Sequence, residues 1–394
     1  MSSSNPYNNS SPYTIKVIRT LKDITAQEWD ACALNAENGF NPFISHAFIS
    51  ALEDSGCATA QTGWLGQHIL LENKQGRIDG IMPLYLKNNS FGEYVFDHAW
   101  ANAYQQAGGH YYPKLQSSVP FSPITTPKLL SHPKAHHSIP QELAKAAILL
   151  AQKHGVSSLH VTFSPEEEWQ LLAECGFLRR QDQQFHWINQ NYRNFEAFLD
   201  ELSSRKRKNI RKERLKALEG GISIEVLTGS EITEDHWDHY YDFYLDTSNR
   251  KWGQAYLNRE FFSLIGERLK DNIVLILCKR AGRYMAGALN IKNRDILYGR
   301  YWGTVEDHPF LHFEVCYYQA IDYAIRHGLK KVEAGAQGEH KLARGYRPTT
   351  THSAHWIANP SFRDALEKYL EEERKAAMND LSFLEGLSPF KLKD

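Results

Sequence analysis

Ala151-Gln152-Lys153-His154-Gly155 returns later in the chain as Ala324-Ile325-Arg326-His327-Gly328, and this pair of phrases decides the fold. Each closes an apolar stretch with a glycine, the residue that most readily supplies the left-handed stop of a helix. Two further matches keep the same order: Leu86-Lys87-Asn88 with Ile291-Lys292-Asn293 upstream, and His186-Trp187-Ile188 with His355-Trp356-Ile357 downstream. Gly176-Phe177 corresponds to Gly345-Tyr346 at the spacing of the His-Trp-Ile pair. One order and nearly one register indicate an internal duplication. The Lys-Asn match has a larger spacing, which requires extra residues in the first copy. The proline-punctuated stretch from Gln105 to Pro140 supplies them and should be an excursion absent from the second copy.

Working outward, the second copy reads as a hairpin of Ile273 to Lys279 and Tyr284 to Ile291, a strand at Ile296 to Trp302, a helix from Phe313 to His327 and a short strand at Lys331 to Ala334. The first copy gives strands at His68 to Glu72, Ile78 to Leu86 and Tyr94 to Trp100, then a helix from Gln141 to His154 and a strand at Ser158 to Phe163. A helix opening at Ser164-Pro165 with three first-turn glutamates and a strand at Phe185 to Ile188 complete it. The expectation is an α/β protein, a tandem duplication with mixed sheets flanked by helices. Its parts are a tail and lead-in over 1–40, a first unit over 41–194, a basic linker helix over 195–221, a second unit over 222–360 and a C-terminal helix and tail over 361–394.

Bulk composition agrees. With 394 residues the chain exceeds what one core usually fills, and 42% hydrophobic with 23% charged residues are ordinary globular values. A net charge of -1 provides no global pull toward nucleic acid or membrane, so any electrostatic function must be local. The opening MSSSNPYNNSSPY has neither the basic nor the apolar region of a signal peptide and reads as a frayed tail, and no apolar run is long enough to span a membrane. Five scattered cysteines without CxxC spacing argue against a disulfide framework or zinc site and fit a reducing cytoplasm.

The strand and helix order of each copy, with Leu172 to Phe177 (LAECGF), resembles the GNAT acyltransferase fold. Two such units in one chain resemble the FemAB group, which transfers amino acids from aminoacyl-tRNA to peptidoglycan precursors. The strings YYPKL at Tyr111, VPFSP at Val119, RYWG at Arg300, LHFEVCYYQ at Leu311 and EAGAQGEHKLARGYRP at Glu333 are similar to a FemAB-like bacterial family tied to peptidoglycan biosynthesis or recognition, over roughly Asn41 to Pro389. The resemblance implies an acyl donor that is aminoacyl-tRNA or a coenzyme A thioester. Gly303 to Phe313 (GTVEDHPFLHF) departs from the Gly-rich pyrophosphate loop of coenzyme A enzymes, which gives weight to aminoacyl-tRNA.

Acyl transfer to an amine needs a base, donors for the oxyanion and exclusion of water. Glu333 to Arg347 is the densest candidate, with Glu339 or His340 as base, Lys341 and Arg344 holding an anionic ligand, and Glu333 and Arg347 beside them. His312 and Glu314 open the adjacent helix, Glu314 suiting either a first-turn carboxylate or a base. Arg300 and Trp302 end the third strand, and an arginine buried there demands an anionic partner. His308 and His312 make no metal motif, because Pro309 interrupts them and no HExxH exists. Arg205 to Lys216 holds eight basic residues and one acid, and Arg207, Arg211 and Arg214 are candidates for tRNA, a nucleotide-linked precursor or anionic lipid. Asp97, His98, Trp100, Asn102 and Tyr104 alternate along a strand that could bind the acceptor or be a satisfied edge. The leading reading is an acyl- or aminoacyltransferase acting on an amine, on a small molecule or cell-wall precursor, with a cleft between the copies. The alternatives are a coenzyme A-dependent N-acetyltransferase and a non-catalytic binding protein for a peptidoglycan precursor or phosphorylated ligand.

Overall fold

The computed structural model describes residues 12–34, 40–252, 255–335 and 338–391. Its strands are β1 (Thr14–Ile18), β2 (Trp64–Gly66), β3 (His68–Glu72), β4 (Ile78–Met82), β5 (Tyr85–Lys87), β6 (Lys114–Ser117), β7 (Leu130–Ser131), β8 (Ser158–Ser164), β9 (Leu178–Ile188), β10 (Ile222–Thr228), β11 (Ile273–Arg280), β12 (Arg283–Lys292), β13 (Ile296–Thr304), β14 (Lys331–Glu333) and β15 (Arg347–Ile357). A small sheet runs β1-β3-β4-β7, and an 11-stranded sheet runs β10-β11-β12-β13-β14-β9-β15-β8-β6-β5-β2.

The duplication is written into the large sheet, read outward from its centre. From β9 one passes to β14, β13, β12 and β11; from β15 to β8, β6, β5 and β2. In both series one pair is parallel, β13 with β14 and β6 with β8. The final strands are exchanged, so that β9 of the first copy pairs with β14 of the second and β15 pairs with β8. The registers agree residue by residue. His186 lies opposite Glu333 and Trp187 opposite Val332, as His355 lies opposite His160 and Trp356 opposite Leu159.

Burial explains the pattern. β11 is an almost unbroken apolar run whose Ile273 to Cys278 are buried on both faces, as a central strand must be. One core cluster lies between β11–β13 and the helices Glu234–Trp252 and Arg259–Arg268; another lies on the opposite face under Gln319–Arg326. At Gly303 a Cβ would stand 2.2 Å from the Phe243 backbone, so only glycine lets the Glu234–Trp252 helix rest on β13.

Several expectations are corrected. Tyr94 to Trp100 is not a strand. Asp97 caps the helix His98–Gln106, and the first copy's third strand is β6, inside the proline-rich stretch expected to be an excursion. The prolines punctuate loops around β6 and hide it, and the extra residues fall on both sides of it. β3 and β4 leave the large sheet for the small one, because β1 and β7 pair with their outer edges. Within the lead-in lie β1 and the helix Ala26–Ala33, opened by a Thr25–Glu28 capping box. The basic linker is two helices, Phe195–Asp200 and Ser204–Ala217.

Candidate functional site

β13 and β14 run side by side only from Ile296↔Lys331 to Tyr298↔Glu333; β13 then continues to Thr304 paired with β12 alone. Just past that point β13 bulges. Leu289 faces Tyr301 and Asn290 faces Gly299, so Arg300 is the extra residue without a ladder partner. Bulges of this kind re-aim side chains beside active sites. The Arg300 side chain is 2% exposed, and its Nη2 lies 3.6 Å from Oε2 of the equally buried Glu333. Lys331 Nζ takes the other carboxylate oxygen at 2.7 Å. Burial would raise the Glu333 carboxyl, but His186, Lys331 and Arg300 together hold it below its ordinary value. Burial drives His186 down to about 4, so it stands neutral opposite Glu333.

The helix leaving this gap is irregular. Phe310 precedes it at φ 65, and after Leu311–Phe313 it opens into a π-helical turn over Glu314–Tyr318 before resuming at Gln319–Arg326. Both features cost local stability and recur at functional sites. The turn places side chains against the short helix Glu339–Arg344. Tyr317 Oη lies 3.0 Å from His340 Nε2, and the His312 ring packs edge-on against Trp302 at 5.5 Å and Tyr317 at 5.3 Å. His312 and His340 stand 6.5 Å apart, centre to centre, with Phe313 between. Burial, then the charges of Arg344 and Lys341, lower the His340 imidazole below its ordinary value. Gly338 is required here, since a Cβ would come within 2.4 Å of the imidazole.

The other candidates are placed differently from their expected roles. Glu314 is fully buried and receives Arg214 Nη2 at 3.0 Å and Gln319 Nε2 at 2.7 Å. It is an anchored partner rather than a solvated first-turn carboxylate. Arg344 donates to His340 O at 2.7 Å and Glu213 Oε2 at 2.8 Å while lying 3.5 Å over the Phe313 ring. Lys341 is buried, donates a hydrogen bond to Gly335 O at 3.0 Å, and is lowered by burial to about 8. Arg347 is exposed at the start of β15, 5.0 Å over Phe390. The Glu339 side chain lies outside the described residues.

The basic helix also redistributes its roles. Arg207 pairs with Asp200 at 3.1 Å, Arg211 with Glu196, and Arg214 with Glu314 while stacking 4.3 Å over Phe195. The trio marked for anion binding is thus engaged by the protein's own carboxylates. The exposed Arg205, Lys208, Lys212 and Lys216 fall instead on one helical face. Lys216 O accepts from His308 Nε2 at 3.2 Å, which ties this face to the loop before His312.

In the first copy, Asp97 is buried and bonded to Lys114, which also holds Ser90 at 2.8 Å and Glu93 at 2.7 Å. Trp100 packs 4.9 Å from His355, and His160 Nδ1 meets His355 Nδ1 at 2.7 Å. This position corresponds to Glu333 and His186 in the second copy. A buried Lys114–Glu93–Asp97 cluster and a helix fill it, so the acceptor reading of the Asp97 to Tyr104 stretch loses its open strand.

Tyr317, Phe313, Glu213, His186 and Lys331 are site neighbours that residue type alone did not single out. His186 had a signal, since it stands in the repeated His-Trp-Ile triplet.

Two exchanged acyltransferase-type units, with a polar gap between parallel strands and a distorted helix beside it, define a tandem GNAT-like protein. The chain belongs to the FemAB-like family, described as peptidoglycan biosynthesis/recognition, whose model matches residues 20–392. Among solved structures it is similar to FemX, with 13% identity, TM-score 0.53, and coverage of 87% of this chain and 98% of that one. A conserved protein of unknown function from Bacteroides thetaiotaomicron matches at 10% identity and TM-score 0.53, over 88% of this chain and 100% of that one. A tandem GNAT protein from the clavulanic acid biosynthesis pathway matches at 15% identity and TM-score 0.48, over 88% and 99%. No curated protein sequence matches significantly. Among the described residues, no helix is long and apolar enough to cross a membrane.

Proposed function

We propose that the protein transfers an aminoacyl group from aminoacyl-tRNA to an amine of a cell-wall precursor, with the reacting centre at His340, Tyr317 and His312 beside Trp302. The observation that carries this is the His340–Tyr317 pair, joined through His312 to Trp302 of β13 and with a lowered imidazole pKa. With Nε2 donating to the Tyr317 oxygen, Nδ1 is the basic nitrogen, and it is unprotonated near neutral pH. The acceptor amine attacks the ester carbonyl, the C–N bond forms and the C–O bond breaks. His340 takes the proton lost by nitrogen and returns it to the departing ribose oxygen. Arg205, Lys208, Lys212 and Lys216 offer the donor's phosphates a surface tied to the same loop.

A turnover assay tests this. Labelled aminoacyl-tRNA and acetyl-coenzyme A are compared as donors to a nucleotide-linked muropeptide. Label appearing in the muropeptide from the tRNA alone is expected. Transfer from acetyl-coenzyme A would move the donor to the thioester class, and ligand binding without transfer from either would leave a recognition protein.

A further inference from the structure

The bulge in β13 presents a charged fork that the protein itself leaves empty. Arg300 Nη1 donates to Gly299 O at 3.2 Å, but Nε and Nη2 have no hydrogen-bond partner although the side chain is almost wholly buried. Those two groups share one edge of the planar guanidinium, and their parallel N–H bonds match the two oxygens of a carboxylate. Glu333 does not fill the fork. Its Oε1 is held by Lys331, and its Oε2, 3.6 Å from Nη2, is itself without a hydrogen bond. We propose that Arg300 is the receptor for a carboxylate of the acceptor, bound in the gap between β13 and β14. This rests on the transferase reading above and adds to it the group by which the acceptor is held.

Arg300 and Lys331, with the buried Lys341 close enough to act on Arg300 as well, outweigh the single carboxylate of Glu333 beside a neutral His186, so the pocket draws an anion. The Phe43 ring at 5.4 Å and the Tyr298 ring at 5.6 Å flank the guanidinium and pack edge-to-face on each other at 5.2 Å, which holds its plane for a flat, bidentate partner. Phe43 and Tyr298 belong to the core cluster on one side of the sheet, whereas Trp302 packs against the cluster on the other. Arg300 and Trp302, two residues apart on β13, thus face opposite sides of the sheet, with His312 on the Trp302 side.

The test is calorimetric titration of the full chain with the dipeptide alanyl-alanine, with its C-terminal amide and with inorganic phosphate, on the native protein and on Arg300→Lys. Binding of the acid at least about tenfold tighter than the amide is expected. Arg300→Lys should remove most of that preference, because an ammonium keeps the charge but loses the fork. Equal binding of acid and amide, no binding of the acid, or displacement of the dipeptide by equimolar phosphate would overturn the proposal. So would an Arg300→Lys protein that keeps the native preference. The acid-to-amide ratio of the native chain needs no variant to fold. No acyl donor is present, so failure here leaves the transferase reading standing, whereas failure of turnover with the carboxylate preference intact would remove only that reading.

Discussion

At the residue scale, the geometry separates side chains that can do chemistry from those already spent on structure. His340 has a hydrogen-bond partner in Tyr317 and a lowered pKa. His340→Ala should lower kcat by about a hundredfold or more with unchanged melting. Because the imidazole resists protonation, the acidic limb of the kcat/KM profile should fall below pH ~6.5. A limb at or above that value, or one that persists in His340→Ala, would assign the base elsewhere. Arg344 and Lys341 were first read as ligand holders, yet their hydrogen bonds go to His340 O, Glu213 and Gly335 O. Arg344→Ala should therefore act on stability, costing about 2 kcal/mol in chemical denaturation. Loss of substrate affinity with native stability would restore the first reading.

At the element scale, the basic helix Ser204–Ala217 has two faces with different work. Arg207, Arg211 and Arg214 hold the helix to neighbouring carboxylates, while Arg205, Lys208, Lys212 and Lys216 face outward. Replacing the outward four with glutamine should reduce the log–log salt slope of tRNA binding by about 3, whereas glutamine at the half-buried Arg207 and Arg214 should lower the melting temperature first. Filter binding over a salt series decides this, and an unchanged slope in the outward variant would mean the stripe is only a solvated surface. Helix type and end were legible here from composition and from Gly220-Gly221. The facing was not, because Asp200, Glu196 and Glu314 reach the helix from other elements.

At the scale of the whole molecule, the exchanged strands make the two copies one folding unit. Both ladder partners of β9, β14 and β15, belong to the second half, and both partners of β15, β8 and β9, belong to the first. A fragment of 1–194 should thus be unfolded by circular dichroism, and the intact chain should melt in one transition. A stable isolated half would contradict this. The central strands also carry His160, His186 and His355, whose burial lowers the first to about 3, the second to about 4 and the third well below its ordinary value. Each stays neutral when folded and gains a proton on unfolding below pH ~6.5, so stability should fall as pH drops from there toward 4. The loss is up to about 1.4 kcal/mol per pH unit for each histidine. Denaturation midpoints across that range that do not decline would contradict the burial of these rings.

The sequence by itself determined that the protein is a duplicated α/β unit, that a helix in each copy stops at Gly155 or Gly328, and that polar groups gather after β14. Those features are local, since periodicity, glycine stops and repeated triplets are set by neighbours along the chain. Only the tertiary structure decided that β6 hides among prolines, that Tyr94 to Trp100 contains no strand, and that the last strands change places. Strand membership depends on a partner distant in the chain and cannot be read from a strand's own residues. The same reason governs the site. Arg300 was legible as a buried arginine wanting an anion, but its bulge, its unfilled fork and its distance from Glu333 come from three strands meeting in space.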